Sequence, residues 1–307
     1  MDARLRITAL LTASTLALAL GACGEDGGSA ADPTPAGSTT SPTASTSPDE
    51  TSQPSEEPTS DGSPSEDGGG SETTVPVYFV GDTPQGARLY REFRRVGGDP
   101  YVEAARLLTT GDALDADYRS LFPEGAFADV RAEDGAIVVE VADDGWSAPG
   151  ELSRNGARLA VQQLVYTLQG VAQERLPVRV VDAAGEPAPL FGVTGDLVQA
   201  APLEVLSLVS ISGPEEGATV ADTFTAGGVA SSFEATVPWE VRDSSGKVVV
   251  DGFATAEGWM DKLYPWASEV DVSGLEPGTY TFVAMTDDPS GGEGGGPMVD
   301  SKTITVE

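Results

Sequence analysis

The sequence predicts an α+β domain, a sheet with its helices on one face, followed by an all-β sandwich, both carried on a disordered N-terminal tether. Three observations predict it. From Gly24 to Val75 the 52 residues hold 11 Asp and Glu, no Lys or Arg, and Val75 as their only large apolar residue. Such a composition cannot bury enough apolar surface to offset chain entropy. From Pro76 to Gly195 strand-like and helix-like runs are mixed, and from Asp196 to Glu307 nearly every run is strand-like. Those orders of elements separate an α+β domain from an all-β one.

At the start of the chain, Arg4 and Arg6 form a basic n-region and Ile7 to Leu20 is a 14-residue apolar stretch. A helix needs roughly 20 apolar residues to cross a bilayer, so residues 1–22 are expected to be a signal peptide. Leu20-Gly21-Ala22-Cys23 resembles the lipobox of bacterial lipoproteins, and Cys23 is the chain's single cysteine. The resemblance implies that Cys23 is lipidated and becomes the mature N-terminus. One acyl chain binds membranes marginally, whereas the implied diacylglyceryl group supplies at least two. The expected location is therefore the outer face of the bacterial cytoplasmic membrane, lipid-anchored and facing the cell wall. Residues 23–75, the lipidated Cys and its tether, would average about 40 Å end to end as a flexible chain, and uncompensated carboxylates extend it. Ser and Thr with Pro also suit O-glycosylation, against the plainer reading of a spacer.

Residues 76–195 form the expected α+β domain. Val75-Pro76-Val77-Tyr78-Phe79-Val80 reads as a strand, Gly81-Asp82 as a turn, and Arg88 to Val96 as a second extended run. Asp99-Pro100 supplies an N-cap and a proline at the first helical position, opening a helix through Tyr101, Ala104, Ala105 and Leu108. Phe127 to Val141 reads as two strands joined at Glu133-Asp134-Gly135, with Ile137, Val139 and Val141 alternating. Ser153 opens a longer helix with Ala157, Ala160, Val161, Leu164, Val165 and Leu168 on its apolar face, and Pro177 to Val181 closes the domain as a strand.

Four runs carry a family resemblance: Val77-Tyr78-Phe79-Val80, Ala104-Ala105-Arg106-Leu107-Leu108, Leu121-Phe122-Pro123-Glu124-Gly125 and, most specifically, Gln162-Gln163-Leu164-Val165-Tyr166-Thr167-Leu168. Together they resemble the GerMN domain of sporulation and germination proteins. The resemblance covers nearly the whole domain, implies envelope-associated assembly and brings no enzymatic residue set.

In residues 196–307 the strand runs are Leu206 to Ser212, Phe224 to Ala230, Phe233 to Asp243, Lys247 to Ala256, Trp266 to Val272, Thr279 to Asp287 and Val299 to Val306. Turns at Asp243-Ser244-Ser245-Gly246 and Glu276-Pro277-Gly278 space them as in a sandwich. This points to an immunoglobulin-like β-sandwich without an inter-sheet disulfide. Ile211-Ser212-Gly213-Pro214, Ser232 to Val237 and Gly278 to Phe282 resemble the immunoglobulin-like domain of bacterial spore germination, which commonly follows a GerMN domain. Its aromatic-proline-aromatic element stands here as Tyr264-Pro265-Trp266.

Composition narrows the function. With 17 Lys and Arg against 49 Asp and Glu, the net charge of -32 repels phosphate backbones and argues against nucleic acid as a partner. The absence of histidine removes the Ser-His-Asp triad and the commonest zinc ligand. No cofactor or metal is implied. Asp143-Asp144 offers half of a carboxylate pair for glycan hydrolysis, but reads more simply as a turn after a strand. Asp115-Ala116-Asp117 and the Asp287 to Gly296 loop carry oxygens that would suit calcium without EF-hand spacing. Trp239, Trp259 and Trp266 suit sugar stacking or, more simply, sandwich packing. Glu151 to Gln169 reads as a core helix more readily than an exposed interaction helix.

Arg88, Arg91, Arg94 and Arg95 concentrate positive charge in one run. If that run is an edge strand near solvent, the charges either discourage edge pairing or form a docking strip for an anionic partner, such as wall polymer or the acidic second domain of a neighbouring copy. The expected function is that of a non-catalytic, lipid-anchored envelope protein that docks envelope proteins or wall polymer. The alternative is an acid-dependent wall-glycan hydrolase using paired carboxylates.

Overall fold

The computed structural model describes residues 72–307. The expected signal peptide, Cys23 and the tether as far as Ser71 lie outside the described residues. In β1 (Thr73–Thr83), Val75, Val77 and Phe79 share the buried face that the two-residue period of a strand dictates. A turn at Pro84-Gln85 returns the chain as β2 (Gly86–Val96), antiparallel to β1 with Val77 opposite Glu92. α1 (Pro100–Thr110) begins where the Asp99 carboxylate accepts the N–H groups of Tyr101 and Val102 at 2.9 and 3.2 Å. It ends at Gly111, whose φ of 67° favours glycine.

β3 (Phe127–Glu133) and β4 (Ala136–Val141) form a hairpin on Asp134-Gly135, both at positive φ as the primed hairpin turns require. α2 (Arg154–Ala172), capped by Ser153 Oγ on the Gly156 N–H, then leads to β5 (Val178–Val181), parallel to β4. The strands make two sheets, β1-β2 and β3-β4-β5. β1 does not join the second sheet because its outer edge is filled otherwise. Thr167 Oγ1 of α2 accepts the Tyr78 N–H at 3.0 Å, Gln163 Nε2 donates to the Tyr78 carbonyl at 3.0 Å, and Val80 exchanges backbone hydrogen bonds with Arg119. The apolar residues expected on α2 pack into the core between the sheets and α1, so the helix is a core element.

After the short α3 (Pro202–Val205), the chain is an all-β sandwich. One sheet orders β11 (Tyr264–Asp271), β8 (Thr223–Ala230) and β6 (Val209–Gly213). The facing sheet orders β10 (Val248–Thr255), β9 (Thr236–Arg242), β12 (Gly278–Met285), β13 (Val299–Val306) and β7 (Ala218–Val220). β7, three residues long, is the strand the sequence reading lacked; it pairs parallel to the end of β13. Val209, Ile211, Val237, Val241, Phe282 and Ile304 fill the space between the sheets. β6 and β8 approach so closely that a Cβ at Gly228 would collide with the Ser210 carbonyl oxygen, so only glycine fits there.

Candidate functional site

Along β13 the inward positions are Asp300, Lys302, Ile304 and Val306. The last two belong to the sandwich core, but the first two are charged and face the Asp115–Tyr118 loop of the first domain. Lys302 Nζ donates to Asp115 at 2.5 Å, to Tyr118 Oη at 2.8 Å and to Asp300 at 3.2 Å, and lies 4.3 Å from the Tyr118 ring centroid. Asp300 also accepts the Tyr118 hydroxyl and the Ile211 N–H, each at 2.6 Å. Tyr90 stacks on Tyr118 at 5.0 Å and donates to the Val299 carbonyl at 2.9 Å. Buried Glu92 holds the loop from below by accepting the N–H groups of Leu114 and Asp115.

Lys302 is 4% exposed and Asp300 3%. Burial alone would push the Lys302 ammonium down, but Asp300 and Asp115 outweigh it and hold it above the usual lysine value. Burial, reinforced by Asp300, lifts the Tyr118 hydroxyl well above the usual tyrosine value. Nearby, the Ser207 N–H donates to the Leu89 carbonyl at 2.9 Å, so β2 is continued by the segment that enters the sandwich. The arrangement welds the two domains through a buried ionic cluster and a backbone bridge.

Beside this seam is a cavity of about 290 Å³ between the domains. Its walls include Tyr78, Leu89, Tyr166, Leu206, Val229 and Leu263, and its charged residues are Arg91, Arg175 and Lys262, with no carboxylate in the lining. Tyr78 and Tyr166 pack at 5.2 Å between ring centroids, and the Tyr166 hydroxyl is held by the Ala200 carbonyl at 2.8 Å. One arm of Arg91 donates to Ser212 Oγ at 3.0 Å, and its guanidinium lies 4.6 Å from the Phe93 ring. Arg91 Nε and Ser210 Oγ are buried without a hydrogen-bond partner, and both residues line this cavity.

β2 is not the solvated edge expected for the arginine run: it runs along the seam, because the Leu206–Ser207 segment and β6 cover it. Arg88 donates to the Leu203 carbonyl, Arg91 to Ser212, and Arg94 to the Asp112 carbonyl and carboxylate, while Arg95 is exposed. Asp143 and Asp144 lie exposed on an open depression with Asp182, and Asp143 and Asp182 each accept backbone N–H groups of their own turns. Asp115 is occupied by Lys302, Asp117 by Ser301, and Asp288 by the N–H groups of Ser290 and Gly292. Trp239 and Trp266 are buried in the sandwich, and Trp259 packs edge-on against Phe233 at the surface. The sequence reading missed Lys302, Asp300 and Tyr118, and with them Arg175 and Lys262. For the first two a signal exists: charges spaced by two, in phase with the core positions Ile304 and Val306.

Residues 76–186 match the family model described as sporulation and spore germination, and residues 208–293 match that of the immunoglobulin-like domain of bacterial spore germination. Both domains are similar to germination-related ones. Among solved structures, the tandem GerMN domains of the sporulation protein GerM from Bacillus subtilis are similar at 13% identity and a TM-score of 0.34, over 66% of this chain and 62% of that one. This chain thus spans less than two thirds of the length of that structure. A search of curated proteins finds no match.

Proposed function

We propose that this chain is a non-catalytic, lipid-anchored protein on the outer face of the bacterial cytoplasmic membrane, where its paired domains dock envelope proteins or wall polymer. The observation that carries the reading is the tandem of matches, a germination-type α+β domain at 76–186 followed by a germination-type immunoglobulin-like domain at 208–293. The buried ionic cluster supports it further, since a fixed pair of domains presents one continuous binding surface instead of two independent ones. The lipobox-like Leu20-Gly21-Ala22-Cys23 supports the anchor.

Crosslinking in intact cells tests the reading. The wild-type chain is expected in the membrane fraction, crosslinked to an envelope protein or to wall polymer, and Cys23→Ser is expected to leave that fraction even at low salt. A Cys23→Ser chain that stays membrane-bound after a high-salt wash would remove the lipid-only anchor. Wall-glycan turnover by the purified chain that disappears in Asp143→Asn would replace docking by hydrolysis.

A further inference from the structure

We propose that the cavity between the domains binds an anionic sugar, a ring carrying a phosphate or a carboxylate, with Arg91, Arg175 and Lys262 holding the charge and the Tyr78 side of the cavity holding the ring. The proposal names a ligand class for the docking reading above and rests on it only for where the ligand is met. Charge is the first argument. In a chain of net charge -32, three cations and no carboxylate line one cavity, although Glu92, Glu215 and Glu216 share another depression with Arg91, and Glu174 another with Arg175. Arg94, Arg106, Arg119, Arg131, Arg158, Arg179, Arg242 and Lys302 all have carboxylate partners; among the described residues Arg88, Arg91, Arg95, Arg154, Arg175, Lys247 and Lys262 form no salt bridge, and three of these seven, Arg91, Arg175 and Lys262, share this cavity. Gathered like charges are unfavourable until an anion joins them, which makes this cavity a favourable place for an anion.

The second argument is independent of charge. Ser210, only 5% exposed, has its Oγ buried and unpartnered within a residue of the cavity wall, and Arg91 has its Nε the same way. Buried donors are costly to leave unpaired, so a side-chain shift that opens either one to an anionic oxygen in the cavity is favoured. Ser212 holds one arm of Arg91 at 3.0 Å and the Phe93 ring lies 4.6 Å from its guanidinium, which fixes this side chain in the cavity wall. The remaining walls, Tyr78, Tyr166, Leu89, Leu206, Val229 and Leu263, fit the carbon faces of a ring, and Gln199 offers an amide for a hydroxyl. A volume of about 290 Å³ stands at the small end of ligand sites and suits one or two rings of a longer polymer.

The test is calorimetric titration of the full chain with glucose 1-phosphate, glucuronate, neutral glucose and inorganic phosphate, at low salt and at about 1 M salt, where the Debye length falls to about 3 Å. At least one of the two anionic sugars is expected to bind at low salt and to weaken at high salt; which of them binds distinguishes phosphate from carboxylate as the charge. Arg175→Gln with Lys262→Gln changes two exposed side chains, so the thermal midpoint should hold while binding weakens at least about tenfold. Ser210→Ala should weaken binding less. No binding by either anionic sugar, or equal binding by the double variant, overturns the proposal. Glucose bound as tightly as its phosphate overturns the role of the cations, and inorganic phosphate bound as tightly as glucose 1-phosphate overturns the role of the ring wall. None of these results alters what crosslinking and fractionation report, so the docking reading stands or falls separately.

Discussion

At the scale of single residues, Lys302 carries the largest share of the interdomain cluster, because one ammonium neutralises two buried carboxylates. Its nitrogen reaches Asp115 and Asp300 while 4% exposed, and neither acid has water to turn to. Lys302→Met keeps the stem and removes the charge. Breaking a buried pair in this way costs about 3–5 kcal/mol, since an uncompensated charge is left inside. The expected outcome is a lowered urea midpoint for the full chain. Neutralising the acids as well, in Lys302→Met with Asp115→Asn and Asp300→Asn, should restore much of the loss. If Lys302→Met unfolds at the wild-type midpoint, the cluster contributes nothing to the fold. The Ile211 N–H and the Tyr118 hydroxyl, both bonded to Asp300, explain why an acid stands at a position in phase with the core: it ties β6, β13 and the first domain at one point.

At the scale of elements, the run Gln162 to Leu168 on α2 shows what its polar residues do. Leu164, Val165 and Leu168 fill the core, while Gln162 bonds the Val198 carbonyl and the Ala200 N–H, and Gln163 bonds the Tyr78 carbonyl and the Leu121 N–H. The helix thereby replaces a neighbouring strand along the open edge of β1. Gln163 is fully buried, so Gln163→Leu leaves a carbonyl and an N–H unpaired and should cost about 2–6 kcal/mol in thermal or urea unfolding, at roughly 1–3 per orphaned group. A loss under about 0.5 kcal/mol would mean that water or backbone shifts satisfy both. Helix starts, hairpins and the sandwich strands were legible because caps, Asp134-Gly135 and period-two alternation are local signals. The split of the first domain into two sheets was not, because it depends on Gln163 and Thr167 reaching β1 from 85 and 89 residues away. Of the site, Arg91 was legible as a charged residue of interest, and Asp115 as an acidic one, though for calcium and not for an ion pair. Arg175 and Lys262 sit on separate domains and become neighbours only once the seam closes.

At the scale of the whole molecule, the seam makes the two domains one unit whose stability depends on groups that titrate at high pH. Lys302 is raised by its carboxylate neighbours against its burial, Tyr90 is pushed by burial to about 12, and burial lifts Tyr118 further, with Asp300 adding to it. In the unfolded chain, lysine titrates near about 10.4 and tyrosine near about 10. Below about pH 9 folded and unfolded chains therefore hold the same protons on these groups, and their contribution is fully present. As pH rises past about 10, the unfolded chain releases protons that the folded chain still holds, so unfolding becomes progressively easier until the folded values are passed. For Tyr90 alone, a rise of about 2 units corresponds to on the order of 2–3 kcal/mol lost over that range. Urea unfolding of the full chain at intervals from pH 8 upward should show a plateau and then a steep fall beginning near about pH 10. In the same samples, tyrosine ionisation followed by absorbance should lag behind free tyrosine and complete only as the chain unfolds. Tyr118→Phe combined with Lys302→Met removes two of the three groups, so it should begin less stable at pH 8 yet fall with a shallower slope. A slope as steep as that of the wild type would show that the alkaline transition starts elsewhere in the molecule.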